Sequence, residues 1–341
     1  MTTISDGLYQ HGGMPVTGGI PPFLRNGSKV FFVDPVNGLD GNLGTAGRPF
    51  ASLYKAHKMC TSGNNDTVFL IGDGTSTNTA RLSTANATTA DSSLTTGELI
   101  WSKNATHLIG ISSGSGNSRA RIATPTGTYT ASTFGSNTCM TVSGSGCYIS
   151  NISLTSSFST GNASEVTMVV SGSYNTFNNV TAGHLSPEAL AGVGARSLKV
   201  TTGGENKFIN CQFGFDTATR NTTANATLEF AGGTARDQFI GCVFPIRTSY
   251  SGSLHLLGTG NSCISSWILF KDCLFTNAMD GTSVNMTVMG SFTTASPSGS
   301  IILKGSAMFG ATKWGDTNFL ANSYVDGVGG AATAGIMLNP T

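Results

Sequence analysis

Two acidic side chains lie close to one phase of a repeated pattern in the middle of the chain. Glu205 and Asp237 are one residue out of phase with a step of 31 residues that recurs in this region. Two carboxyl groups held a few ångströms apart can act as acid and base in cutting a glycosidic bond. Because these two differ in phase, and Asp272 lies at another phase again, the pattern favours framework roles over a catalytic pair.

A charged series occupies the centre of three short apolar segments. Lys199, Glu229 and His255 are the middle residues of LKV, LEF and LHL. Side chains alternate between the two faces of a strand, so we expect all three to point away from the core. An imidazole beside a carboxylate can act as a base, but no nucleophile or second acid accompanies the series. We interpret it as a surface ion-pair ladder, a contact that contributes about 0–1 kcal/mol.

Asp34, Asn37, Asp40 and Asn42 form an acidic, glycine-rich cluster near the N-terminus. Oxygen ligands of this kind can hold Ca²⁺, although the spacing does not match an EF-hand loop. Asx turns require the same residues, so both interpretations stay open and turns are favoured. The sequence contains no zinc-ligand spacing, phosphate-binding loop or nucleophile elbow. We therefore predict no catalytic residue, no cofactor and no metal.

Composition narrows the class of protein. Charged residues make up 10% of the 341 residues and the net charge is +1. The sequence therefore lacks the excess of basic residues that is typical of nucleic-acid-binding proteins. The seven cysteines are an odd number without a CxxC pair, which favours buried free thiols and folding in a reducing cytosol. No apolar run is long enough for a membrane helix, and no signal peptide pattern opens the chain.

The elements that position these residues repeat along the chain. NKFINCQF, DQFIGCVF and ILFKDCLF place Cys211, Cys242 and Cys273 at steps of 31 residues, and Phe177, Phe208, Phe239 and Phe270 keep the same step. A third short strand precedes each pair of strands, in CMTV, MVV, LKV, LEF, LHLL and MTVM. Equal spacing is required when strands stack in register about 4.8 Å apart. The repeat therefore predicts the coils of a solenoid, with interior ladders of Phe and Cys, over three similar hairpins in a sandwich.

A tight bend is predicted just before each cysteine position. The residues there are Gly110, Asn151, Asn179, Asn210, Gly241 and Asp272. These residue types tolerate the left-handed backbone region. A repeat of about 31 residues is longer than three short strands and tight turns require, so each coil also needs a long loop. The predicted loops are 157–165, 183–196, 215–226 and 245–252. Ser186, Pro187 and Glu188 in the second loop favour one helical turn.

Both ends of a solenoid need a cover. Between Arg48 and Cys60, the residues Leu53, Ala56 and Cys60 share one helical face, which predicts a capping helix. The segment DTVFLIG at 66–72 is expected to open the solenoid. The extended arm at 1–28 and the segment 311–341, with Trp314, Phe319, Tyr324, Ile336, Met337 and Leu338, lie outside the repeat.

The lead-in segment, residues 31–56, resembles the start of pectin-lyase-like parallel β-helix proteins, and many phage-encoded β-helix proteins begin in this way. The matching residues are Val33, Asp34, Pro35, Gly38, Asp40, Asn42, Gly44, Thr45, Pro49, Phe50, Ser52 and Leu53. With the repeat, the resemblance covers roughly residues 29–310. It implies an all-β fold, a right-handed single-stranded parallel β-helix. It does not select a function, because lyases, hydrolases, tailspikes and passive coat proteins share this fold.

These observations predict four regions and two ranked functions. The regions are an N-terminal arm (1–28), a lead-in strand, capping helix and first coil (29–72), the coils (73–310), and a C-terminal cap or oligomer contact (311–341). We favour a non-enzymatic structural protein of a bacteriophage virion, a capsid decoration or cement protein or a short head fibre. It would assemble in the host cytoplasm, form a homotrimer and bind the major capsid protein or another virion protein, without nucleic acid or membrane. The alternative is a tailspike or receptor-binding protein that binds or cleaves host surface polysaccharide, while a secreted lyase or adhesin is disfavoured.

Overall fold

The computed structural model describes residues 27–73, 75–112, 120–125, 130–158, 164–185, 191–278, 283–294 and 298–325. It also describes a short antiparallel pair, Gln10–His11 with Met14–Pro15. Most of the predicted arm, the helical turn predicted at 186–188 and the apolar residues at 336–338 lie outside the described residues.

Three parallel sheets form the walls of the molecule, and the chain passes from sheet 1 to sheet 2 to sheet 3 in successive coils. Sheet 1 contains Val30–Val33, Asp66–Gly72, Thr106–Ser112, Tyr148–Ser150, Thr176–Asn178, Lys207–Ile209, Gln238–Ile240, Trp267–Lys271, Ser300–Lys304 and Ser323–Val325. Sheet 2 contains Thr79–Arg81, Ala120–Ala123, Ile152–Ser156, Thr181–His184, Gln212–Phe213, Val243–Thr248, Leu274–Asn277 and Ala307–Phe309, with Thr219–Arg220 beside Val243–Thr248. Sheet 3 contains Leu99–Trp101, Thr138–Val142, Val166–Val170, Arg196–Val200, Ala226–Ala231, Leu254–Thr259, Met286–Phe292 and Ala311–Gly315. The predicted right-handed parallel β-helix is confirmed.

The 31-residue step of phenylalanines is a stack of rings beneath sheet 1. Phe177, Phe208, Phe239 and Phe270 pair in register on neighbouring strands and are fully buried. Their ring centroids are 4.7, 4.4 and 4.7 Å apart, at interplanar angles of 6°, 6° and 13°. Such pairs bury large apolar areas and add aromatic contact energy. The interior ladder predicted from the repeat is therefore present.

Two further ladders accompany this stack. They consist of Phe213, Phe244 and Phe275, and of Cys211, Cys242 and Cys273, all buried. Each of these three thiols lies near the carbonyl oxygen of a phenylalanine in the preceding coil, at Sγ–O distances of 3.5, 3.3 and 3.4 Å. All seven cysteines are free and buried, as the sequence predicts. Burial raises the pKa of the Cys242 thiol, so it stays protonated and acts as a small apolar side chain.

The bends between sheets 1 and 2 adopt the predicted left-handed conformation from the fourth strand of sheet 1 onward. The φ angles of Asn151, Asn179, Asn210, Gly241 and Asp272 are 56°, 55°, 52°, 62° and 54°. Gly110 is the exception, because it lies within the strand Thr106–Ser112 and is not in the left-handed region. It needs glycine for another reason, since a Cβ there would lie 2.0 Å from the carbonyl oxygen of Asn151.

Short helices lie at both ends of the described coils. The helix Leu53–Met59 begins after Ser52, whose side-chain oxygen accepts a backbone N–H at 3.2 Å, and it buries Leu53, Ala56 and Cys60 as predicted. The helices Thr84–Ala90 and Ala131–Phe134 follow it.

The coils continue beyond residue 310. Ala311–Gly315 joins sheet 3 and Ser323–Val325 joins sheet 1, with the helix Thr317–Ala321 between them. Phe319 of this helix is buried, with its ring 5.3 Å from that of Phe292. The described part of the C-terminal segment therefore both supplies strands and covers the core.

Candidate functional site

The structure separates the two acids that the sequence places near one phase. Asp237 is fully buried, where it accepts the backbone N–H of Asn206 at 2.9 Å and the hydroxyl of Thr234. Burial raises the pKa of Asp237, and these hydrogen bonds oppose the rise. Glu205 instead has an exposed side chain paired with Arg236. The two carboxylates therefore do not form an acid–base pair.

Asp237 belongs to a buried ladder of hydrogen bonds between coils. The backbone N–H of Cys147 donates to Asn175 Oδ1 at 2.8 Å, and that of Asn175 donates to Asn206 Oδ1 at 3.0 Å. The next step is the bond from Asn206 to Asp237. Each side chain thus satisfies a backbone donor of the preceding coil, which is a structural use for Asp237.

The charged series on sheet 3 is an ion-pair network. The ammonium of Lys199 is 3.0 Å from one carboxylate oxygen of Glu229, and Arg196 Nε donates to the other at 2.6 Å. The Thr259 hydroxyl adds a third bond at 2.9 Å. Burial favours the neutral acid, but the two cations outweigh it and lower the pKa of Glu229. This carboxylate is held ionised by the framework.

The prediction that His255 faces outward beside Glu229 is wrong. Glu229 pairs in register with Leu257, and His255 is fully buried with its ring 5.7 Å from that of Phe275 in the core. Leu256 also belongs to the main core, whereas Leu257 packs in a separate outer cluster. Alternation is therefore interrupted between His255 and Leu256, which the sequence pattern did not reveal.

In the acidic cluster of the lead-in segment, the carboxylates of Asp34 and Asp40 accept hydrogen bonds from the backbone. Asp34 accepts backbone N–H groups of Val36 and Asn37 at 2.9 and 3.0 Å. Burial opposes ionisation, but these bonds lower the pKa of Asp34. Asp40 accepts the backbone N–H groups of Ala51 and Ser52 at 3.0 and 2.8 Å, which holds the start of the capping helix. The described residues contain no group of three or more His, Cys, Asp or Glu side chains that could hold a metal ion.

Four side chains at one position of successive coils form a ladder that the sequence analysis missed, with Tyr174 and Arg236 exposed and the other two half-buried. Tyr174, Glu205, Arg236 and Trp267 follow one another at steps of 31 residues, and we call them the outer ladder. The first three have φ angles of 60°, 58° and 56°. Glu205 N–H donates to the Ala235 carbonyl and Arg236 N–H to the Trp267 carbonyl, both at 2.7 Å, so the turns of successive coils are fixed to one another.

The outer ladder borders a groove of about 490 Å³ on the outer face of sheet 1. Thr176, Lys207 and Gln238, in register on adjacent strands, line the rest of the groove. Arg236 donates to Glu205 Oε1 through two nitrogens at 2.5 and 3.0 Å, between the two aromatic residues. Three strand spacings place Tyr174 and Trp267 about 14 Å apart along the rod. Rings at both ends and polar donors between them suit an extended, polyhydroxylated ligand.

Stacked parallel sheets, left-handed bends and interior ladders define a right-handed parallel β-helix of the pectin-lyase-like kind. Among solved structures, the chain is similar to pectate lyase Pel9A, with a TM-score of 0.58 and 15% identity over 89% of this chain and 70% of that one. It is also similar to a rhamnogalacturonan lyase (TM-score 0.54, 15% identity, 84% and 70%). A third is pectin methylesterase PemA from Erwinia chrysanthemi (TM-score 0.52, 14% identity, 84% and 80%).

The identities of 14–15% show a shared fold and leave the activity unassigned. No protein-family model matches the chain, and no curated protein does either. None of the described helices is long and apolar enough to cross a membrane.

Proposed function

We propose that this chain is a non-enzymatic structural protein of a bacteriophage virion, a decoration protein or a short head fibre. The observation that carries the proposal is that Glu205 and Glu229, the two candidate catalytic acids on the outer faces of the sheets, are both held in ion pairs. Glu205 is bound by Arg236, and Glu229 by Arg196 and Lys199. These carboxylates join neighbouring coils and so serve the rod itself.

The architecture supports this role. Ten strands in sheet 1 correspond to a rod about 43 Å long, with every coil hydrogen-bonded to the next. The lead-in segment, in which Asp40 holds the capping helix, resembles that of phage-encoded β-helix proteins. Residues 1–28 would attach the rod to coat subunits, and three copies would associate at a symmetry axis. Its rigidity would then be the useful property.

The test is to mix the purified protein in parallel with capsids that lack it and with host surface polysaccharide. We expect co-sedimentation with the capsids and no release of reducing ends. A chain without residues 1–20, shown by circular dichroism to be folded, is expected to lose capsid attachment. Release of reducing ends without capsid binding would contradict the proposal. Full occupancy by the truncated chain would contradict the role of the arm.

The groove on sheet 1 favours a second function, binding of a host surface polysaccharide without cleavage. Tyr174 is 64% exposed at one end of the groove, and Trp267 lines the other end. Tyr174→Ala and Trp267→Ala are each expected to weaken binding about tenfold in calorimetric titrations. Tyr250→Ala is the matched control, because Tyr250 is 45% exposed and is not among the residues that line the groove. Equal weakening by the control, or no binding by the unmodified protein, would exclude this function.

A further inference from the structure

Arg220 is a buried arginine without an ion-pair partner among the described residues. Its side chain is among the largest that are fully enclosed, with 1% of the residue exposed, and its Nε and Nη1 atoms have no hydrogen-bond partner in the part of the chain that the structure describes. Its backbone pairs with Thr248 in sheet 2, which fixes its position. Burial, followed by the charge of Arg196, lowers the pKa of Arg220 to about 9, so it is still cationic at neutral pH. An uncompensated buried cation is strongly destabilising.

Other buried polar groups without partners among the described residues lie on the neighbouring strands of sheet 3. A Cβ at Gly214 would lie 3.5 Å from Arg220 Nη2 and 3.3 Å from Thr227 Cγ2, so the two side chains approach the same point. Thr227 lies between Ser197 and His255 on the neighbouring strands of sheet 3. The hydroxyls of Ser197 and Thr227 and both ring nitrogens of His255 are buried and have no hydrogen-bond partner within the described ranges.

The cluster carries a net positive charge that no acid in the described part of the chain neutralises. Burial, followed by the charge of Arg220, lowers the pKa of His255 to about 3, so its imidazole is neutral and carries one N–H donor. Glu229 is already bound by Arg196, Lys199 and Thr259. A water molecule would satisfy donors here but would leave the charge of Arg220 uncompensated.

We propose that the protein binds a monatomic anion, chloride under ordinary conditions, inside the solenoid between Arg220, Thr227 and His255. An anion neutralises the guanidinium and accepts from the hydroxyl and the imidazole N–H at once. Full enclosure of these residues favours a small bare ion over sulfate or phosphate. The ion would enter when the coils close during folding or in brief openings of the coil, and it would act as a structural component of the core.

The direct test is to refold and crystallise the protein in bromide and to collect anomalous diffraction data at the bromine absorption edge. An anomalous peak within hydrogen-bond distance of the Arg220 guanidinium is expected. Density at that point that refines as water, without anomalous signal, would overturn the proposal. This experiment uses the unmodified chain and does not depend on any variant folding.

A second test compares thermal unfolding in chloride and in gluconate at one ionic strength. At a chloride concentration 100 times the dissociation constant, the ratio of folded to unfolded protein should rise about 100-fold. Arg220→Met should lose this dependence, whereas the matched control Arg121→Met, at an exposed position, should keep it. The same chloride response in the Arg220 variant and the unmodified protein would overturn the assignment.

Discussion

Replacing Phe239 by Ala tests how much the stacked rings stabilise the rod. Phe239 is fully buried, and the rings of Phe208 and Phe270 stack on its two sides at 4.4 and 4.7 Å. Three further aromatic rings contact it at edge or tilted angles. Loss of a buried Phe costs about 3–5 kcal/mol, and each aromatic pair adds about 0.5–1.5 kcal/mol. At the low ends of these ranges, about 3 kcal/mol for the side chain and about 0.5 kcal/mol for each of five ring pairs, we expect a loss of about 5.5 kcal/mol.

Phe177→Ala is the matched control for this substitution. Phe177 is equally buried on the same ladder, but Phe208 is the one aromatic ring among the described residues that contacts it. At the same low ends we expect a loss of about 3.5 kcal/mol, so the difference between the two variants reports the four additional ring contacts.

The assay is equilibrium unfolding in guanidinium, followed by far-ultraviolet circular dichroism and repeated from the unfolded side to establish reversibility. The slope must be compared as well as the midpoint, because solenoids can unfold in segments. A loss for Phe177→Ala equal to or greater than that for Phe239→Ala would refute the reasoning that ring stacking adds to burial.

Three further substitutions test the polar framework. Glu229→Gln should cost about 3 kcal/mol at pH 7, because it leaves Arg196 buried without its anion. The folded pKa of Glu229 lies below its ordinary value of 4.5, so this difference should be present above pH 4.5 and be lost as the pH falls through the folded pKa. A pH-independent difference would count against it. Asp237→Asn should stabilise the protein by about 1 kcal/mol at pH 7. The pKa of Asp237 is raised in the folded protein, so the contribution of this carboxyl to the free energy of unfolding declines as the pH rises above 3.8. A variant that is less stable in chemical unfolding would disprove this. Asn210→Ala should be about 1 kcal/mol less stable than Asn210→Gly because φ is 52° there, and equal melting temperatures would contradict it.

The interior was predictable from the sequence because one residue type recurs where one environment recurs. Phe208, Phe239 and Phe270 occupy identical positions in successive coils, so their spacing reports the register directly. The bends were also predictable, because few residue types readily adopt positive φ and these types recur at one position of the repeat. Gly110 was predicted incorrectly as a bend, because glycine is required there by a close approach of the backbone and not by a left-handed conformation.

The outer groove was harder to predict because unlike residues occupy one position. Tyr174, Glu205, Arg236 and Trp267 keep the 31-residue step, but a comparison that looks for similar side chains does not detect them. A search by phase alone would have found them. The error at His255 has a different cause, because an interruption of alternation depends on tertiary packing that a short pattern does not contain.

Near-identical central coils create a hazard for folding. A strand could pair with the coil beyond its neighbour and still place Phe against Phe and Cys against Cys. The outer charges oppose this error. If one coil were skipped, Glu205 would face Trp267 instead of Arg236, and Lys199 would face Leu257 instead of Glu229. Ion pairs between neighbouring coils thereby help to specify the order in which the coils assemble.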